Sequence, residues 1–92
     1  MSEQDIALRV TVYGRVHGVF YRDWTVRNAR ELGVSGWVQN EADGTVAALL
    51  QGSSARVRSM IERMRRGPPA ARVGRIAEQE CELANATGFF RR

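Results

Sequence analysis

Residues 14–22 read Gly14-Arg15-Val16-His17-Gly18-Val19-Phe20-Tyr21-Arg22: two glycines, an arginine at the far end, and no carboxylate. An alternating β-type run precedes the segment and a helix-type run follows it. A loop of this kind can wrap its backbone N–H groups around an anion at a helix N-terminus. Arg22 would close the cradle, because a guanidinium presents a planar fork that matches phosphate or carboxylate. Taken alone, a Gly-x-x-x-Gly segment more often marks a turn than a ligand site. A second candidate is Asn40, at the end of Gly36-Trp37-Val38-Gln39-Asn40. It shares strand parity with Val38, so if Val38 faces the helices then Asn40 does too and can approach Arg22. An asparagine amide both donates and accepts, so it can hold a water but cannot take its proton. The plain alternative is that Asn40 only shapes the end of a hairpin strand.

The elements that must position these residues are legible from periodicity. Residues 6–13 alternate, with Ile6, Leu8, Val10 and Val12 on one face, which predicts a strand. Tyr21, Thr25, Ala29 and Leu32 recur at helical spacing up to Gly33, flanked by Trp24 and Val26. Residues 35–41 and 45–51 form two strands joined through Asp43-Gly44, a hairpin signal. Ser53 or Ser54 caps a second helix, whose apolar stripe is Val57, Met60, Ile61 and Met64. Gly67-Pro68-Pro69 ends it. A fourth strand is expected over residues 72–83, and a short fifth strand from residue 88 is left open. In the fourth, Ile76 and Glu78 share one parity while Ala77 and Gln79 share the other, so a β-bulge would decide which set faces the helices. The order βαββαβ predicts an α+β fold: a ferredoxin-like split βαβ sandwich, with a four- to five-stranded antiparallel sheet and two helices on one face.

Composition narrows the function. Ninety-two residues give one domain, over residues 1–92, with one modest core. No apolar run nears the ~18 residues of a membrane span, and the polar, acidic residues 1–5 are not a secretory signal. No membrane partner is expected, therefore. A lone cysteine, Cys81, fits a reducing cytoplasm, and a single histidine excludes a His-rich metal site. No metal and no cofactor are expected. The formal charge of +4 comes with arginine as the sole basic residue type, and a basic surface attracts phosphorylated molecules.

Residues 14–22 resemble the first signature of the acylphosphatase family, Gly-x-Val-(Gln or His)-Gly-Val-x-(Phe or Tyr)-Arg. Residues 36–40, with Gly44, Val46 and Gly52 at the matching offsets, resemble the second. The similarity continues through Gly67-Pro68 and Arg72-Val73. The resemblance implies a small ferredoxin-like enzyme that hydrolyses acyl phosphates to a carboxylate and inorganic phosphate without a metal. It implies that Arg22 binds the phosphoryl group together with loop N–H groups, over Arg15, Val16, His17, Gly18, Val19, Phe20 and Tyr21. It also implies that Asn40 orients the attacking water. His17 stands where the signature takes glutamine or histidine, and glutamine is no base, so His17 is expected to shape the loop. Ala47 stands where the family commonly has glutamate, the tail is short, and Glu78 falls where relatives look apolar.

The expected partners are a small acyl phosphate substrate and inorganic phosphate, as product and inhibitor, acting on a cytoplasmic monomer. The alternative reading is a basic nucleic-acid-binding module on the same fold, with Tyr13 and Trp37 on the open sheet face near Arg9. It is disfavoured because an RNA-reading sheet needs aromatic residues on its third strand, and residues 45–52 have none. A nucleic-acid partner is therefore not expected.

Overall fold

The computed structural model describes residues 4–92. The elements are β1 (Asp5–Arg15), α1 (Tyr21–Leu32), β2 (Ser35–Asn40), β3 (Val46–Ser53), α2 (Ser54–Arg66), β4 (Arg72–Glu80) and β5 (Phe89–Arg91). They form one sheet in the order β4-β1-β3-β2-β5. Alternation in β1 and β3 sends Leu8, Val10, Val12, Val46, Ala48 and Leu50 to one face, where they meet Tyr21 and Ala29 of α1 and the α2 stripe of Val57, Met60, Ile61 and Met64. Four of the expected α1 residues were Tyr21, Thr25, Ala29 and Leu32; the first three are buried and Leu32 packs at the margin. This is the expected ferredoxin-like α+β arrangement.

Two details differ from the sequence reading. First, β5 pairs with β2 in parallel, Gly36 opposite Phe89 and Trp37 opposite Phe90, so the sheet is mixed and not wholly antiparallel. The chain leaves β4 at one edge of the sheet and must re-enter at the other. Phe89 is fully buried there, and its apolar area is what seats so short a strand. Second, β4 stops at Glu80 rather than at residue 83. One further bond, from the Cys81 N–H to the Ala7 carbonyl at 3.1 Å, ends the pairing. The Gln51 side chain then takes over the chain, donating to the Ala84 carbonyl and accepting from its N–H, both at 2.8 Å.

The bulge question in β4 resolves at Gly74. Tyr13 pairs with Arg75 but Gly14 pairs with Val73, so Gly74 is the extra residue. The slip lets Val73 and Ile76, of opposite parity, both pack against the core. It also explains Gly14: at φ 131° a Cβ there would strike the Arg72 carbonyl oxygen. Glu78 falls on the helix side beside Val10, yet at the sheet edge. There its carboxylate meets Arg58 at 2.9 Å and Arg65 at 3.5 Å, both from α2. An edge strand beside an arginine-rich helix tolerates glutamate where a central strand would not.

On the opposite, open face the Tyr13 and Trp37 rings are already occupied, while Phe90 beside Trp37 is 57% exposed. The Arg75 guanidinium lies 4.0 Å from the Tyr13 ring centre, and Arg9 and Arg92 lie 5.3 and 4.4 Å from that of Trp37.

Candidate active site

The loop between β1 and α1 forms the site's floor. Val16 and Val19 are buried and pin it to the core, while Gly18 is exposed with φ 70°. A Cβ at Gly18 would meet no atom of the protein, so the barrier to substitution there is the left-handed backbone and not crowding. Phe20 precedes α1 in the same left-handed region, φ 62° and ψ 26°, and caps the helix with no side-chain bond. Its carbonyl accepts the first helical bond, from the Trp24 N–H at 3.0 Å. Among the described residues, the N–H groups of residues 17–20 find no acceptor. With those of the first helical turn, they form a run of unpaired donors at the positive end of α1.

His17 fixes the loop to the β2–β3 hairpin. Its Nε2 lies 2.8 Å from the Thr45 carbonyl oxygen. A carbonyl only accepts, so Nε2 carries the proton. Thr45 is itself held by Asp43, whose carboxylate accepts from the Thr45 N–H at 3.0 Å and its hydroxyl at 2.6 Å. These bonds, the hydroxyl's first, hold the Asp43 carboxyl below its ordinary range. Tyr21 points the other way, into the core. Its hydroxyl donates to the Met64 carbonyl at 2.7 Å, and burial pushes its pKa well up. Tyr21 therefore offers the site only its backbone.

A cavity of about 350 Å³ lies against this loop, lined by Val16, Gly18, Phe20, Tyr21, Arg22, Asp23, Asn40 and Arg91. Arg22 and Asn40, 18 positions apart in the chain, thus face one space. Val16, Gly18, Phe20 and Tyr21 also border it. Of the other loop residues, Arg15, His17 and Val19 do not.

Asn40 is the last residue of β2 and pairs with Val46. Its Oδ1 is buried and has no hydrogen-bond partner among the described residues. An unmet buried acceptor costs about 1–3 kcal/mol, so a group left in that state calls for a role. Arg22 is half-buried, and its Nη1 donates to the Arg92 backbone oxygen at 2.8 Å.

Two rim residues, Asp23 and Arg91, were not read from the sequence. Asp23, in the first turn of α1, pairs with Arg91 of β5 at 3.0 Å. Arg30, further along α1, donates through Nε and Nη2 to the Phe89 carbonyl at 3.2 and 3.0 Å. The helix thus fastens β5, and β5 supplies one wall of the cavity. The only signal in the sequence was the aromatic-basic tail, which does not say which residue it meets. The Asp23–Arg91 pair is half exposed on both sides and worth at most about 1 kcal/mol, so it shapes the rim more than it stabilises the fold.

Among the described residues there is no group of three or more His, Cys, Asp or Glu side chains arranged to hold a metal. None of the helices is long and apolar enough to cross a membrane.

Comparison with known proteins bears directly on this arrangement. Residues 8–91 match the family model described as acylphosphatase. The chain is 50% identical over 91 residues to an acylphosphatase of Mesorhizobium japonicum, covering 99% of this chain and 97% of that one. Its backbone superposes on an acylphosphatase structure from Coxiella burnetii with a TM-score of 0.92 at 32% identity, covering 96% of this chain and 93% of that one. A crystal structure of the Bacillus subtilis acylphosphatase gives the same TM-score at 31% identity, over 95% and 98% of the two chains.

Proposed function

Since this chain belongs to the acylphosphatase family and hydrolyses acyl phosphates to a carboxylate and inorganic phosphate, we propose that Arg22 and the N–H groups of residues 15–21 hold the phosphoryl group while Asn40 orients the water that attacks it. The observations that carry this reading are that Asn40 lines the same cavity as Arg22 and that its buried Oδ1 has no hydrogen-bond partner among the described residues. An amide oxygen that accepts a hydrogen bond from one water O–H turns a lone pair of that water towards phosphorus.

The step balances without a protein base. The water oxygen bonds to phosphorus and the bond from phosphorus to the acyl oxygen breaks. Its electron pair leaves with the carboxylate, and the water proton passes to a phosphoryl oxygen. A carboxylate is a good leaving group, so the protein's task is positioning and charge stabilisation. Arg22 and the unpaired loop donors supply both, in a place where no carboxylate side chain but Asp23 intrudes, and Asp23 is neutralised by Arg91. His17, bound to Thr45, holds the loop against the hairpin that carries Asn40. Arg15 and Val19 belong to the cradle through their backbone.

The same reading takes the enzyme as metal-free and inhibited by its product, since inorganic phosphate fits the cradle built for the phosphoryl group. We further take residues 1–92 as one domain, supported by the single apolar core, with residues 1–3 outside those described. The exposed free thiol of Cys81 supports a reducing, cytoplasmic setting, and a monomer is the expected state. Release of phosphate from acetyl phosphate tests the mechanism. Turnover is expected to survive EDTA, and added phosphate to inhibit competitively. Activity lost to EDTA and restored by Mg²⁺ or Zn²⁺ overturns the metal-free route.

A further inference from the structure

Phe20 is the one described residue other than glycine with a positive φ, 62°. For a bulky side chain the left-handed region is a genuine outlier, and such strain persists where function holds it. Packing does not repay it: Phe20 is 81% exposed, the most exposed large apolar side chain among those described. Nor does helix capping, since its side chain makes no cap bond. What the conformation does accomplish is to put Phe20, with its side chain exposed, in the lining of the cavity that Arg22 and Asn40 share.

Of the charges lining the cavity, only that of Arg22 is left, and the phosphoryl group takes it. Asp23 and Arg91 neutralise each other across the rim, and one Arg22 nitrogen is bound to the Arg92 backbone. A phosphoryl group held by the loop would therefore direct its acyl half past an aromatic face beside a neutral ion pair.

We propose that Phe20 is a specificity-determining residue which contacts the acyl group, and that it selects apolar, above all aromatic, acyl phosphates over small ones. The inference rests on the phosphoryl group sitting at the loop and Arg22. An aromatic acyl group can stack on or meet the edge of the Phe20 ring, whereas a methyl group offers it little area.

The test compares benzoyl phosphate with acetyl phosphate in the wild type, Phe20→Ala, Phe20→Gly and Phe20→Tyr. Phe20→Ala and Phe20→Gly are expected to lower kcat/KM for benzoyl phosphate about three- to tenfold more than for acetyl phosphate, the size of an aromatic pair's contribution. That difference should fall in KM, with kcat shifting alike on both substrates. Phe20→Tyr should keep the wild-type ratio. Because glycine is at ease at positive φ, Phe20→Gly should melt no lower than Phe20→Ala, which excludes loop collapse as the cause. An unchanged ratio between the two substrates, or a ratio altered through kcat alone, overturns the role of Phe20. Arg22→Ala separates this from failure of the parent reading: if it leaves both substrates turning over at near wild-type rates, the phosphoryl group is not held where we place it, and the proposal falls with it.

Discussion

The two helices of this protein begin in opposite ways. At α2, Ser53 has an extended backbone, φ −60° and ψ 149°, and its side chain accepts from the Arg56 N–H at 3.3 Å. The first turn has found its partner within the chain, as helix N-termini ordinarily do. At α1 the corresponding place is taken by Phe20, left-handed and without a capping bond, behind a loop whose N–H groups are also unpaired. Asn40, whose buried amide oxygen has no partner among the described residues, lines the cavity beside that loop. One helix start is closed by its own sequence, and the other is left electrostatically open. The difference teaches where to look for chemistry: a stable fold meets its polar groups, so several unmet in one place mark what an outside molecule is to complete.

The contrast can be broken most severely at Arg22. Arg22→Ala is expected to abolish detectable turnover and to weaken phosphate binding greatly, and Arg22→Lys to fail as well, since lysine has no planar fork. Assay of the folded variants with acetyl phosphate, alongside phosphate titration, checks both. Near-normal turnover in folded Arg22→Ala would remove the site from the start of α1.

Next in size is Asn40→Ala. Loss of one positioned polar group should lower kcat by about 10²–10³ while phosphate affinity changes little. The structure adds a second expectation. Removing an acceptor that no protein group meets should leave the melting temperature unchanged or raised, apart from the small cavity created. Steady-state kinetics with thermal denaturation reads both. A large loss of phosphate affinity with intact kcat would exchange the roles of Asn40 and the loop.

A smaller effect is expected at Gly18. A Cβ there meets no neighbour, but the β-branched side chain of valine resists φ 70°, so the loop must turn its donors away. Isothermal titration should show weaker phosphate binding than the loss of stability explains.

The smallest effect on activity sharpens the comparison from the closed side. Ser53→Ala should cost about 1 kcal/mol of stability, within the usual range for a lost cap, and leave kcat/KM as it was. A drop in activity would mean that the two helix starts are not independent.

How far the sequence carried each region has a physical explanation. The loop and Asn40 were legible because their chemistry is local. The glycines marked the turn, the family signature marked Arg22, and strand parity turned Asn40 towards the helix side, where both line one cavity. The strands β1 and β3 and the α2 stripe were legible for the same reason, each being periodic over its own length. The Gly74 bulge was foreseen only as a need, because the parities of Ile76 with Glu78 and of Ala77 with Gln79 compete but do not say which residue is extra. The parallel pairing of β5 and the early end of β4 depend on a crossing between sheet edges, and no local pattern encodes that crossing. Glu78 looked out of place until two arginines of α2 came beside it. Tyr13 and Trp37 were rightly put on the open face. Their rings, though, are covered by Arg75, Arg9 and Arg92, which leaves little free surface for nucleic-acid bases.

The fastening of β5 by α1 has a consequence for folding in time. Arg22 meets a residue 70 positions later, and Asp23 one 68 positions later. Closing a loop that long costs entropy before any contact repays it, which makes such contacts late ones in a folding chain. During synthesis, the loop, α1 and Asn40 all emerge while the cavity still lacks a wall. Catalytic competence should therefore arrive after secondary structure in a refolding experiment, with the docking of three residues as the last event before the first turnover.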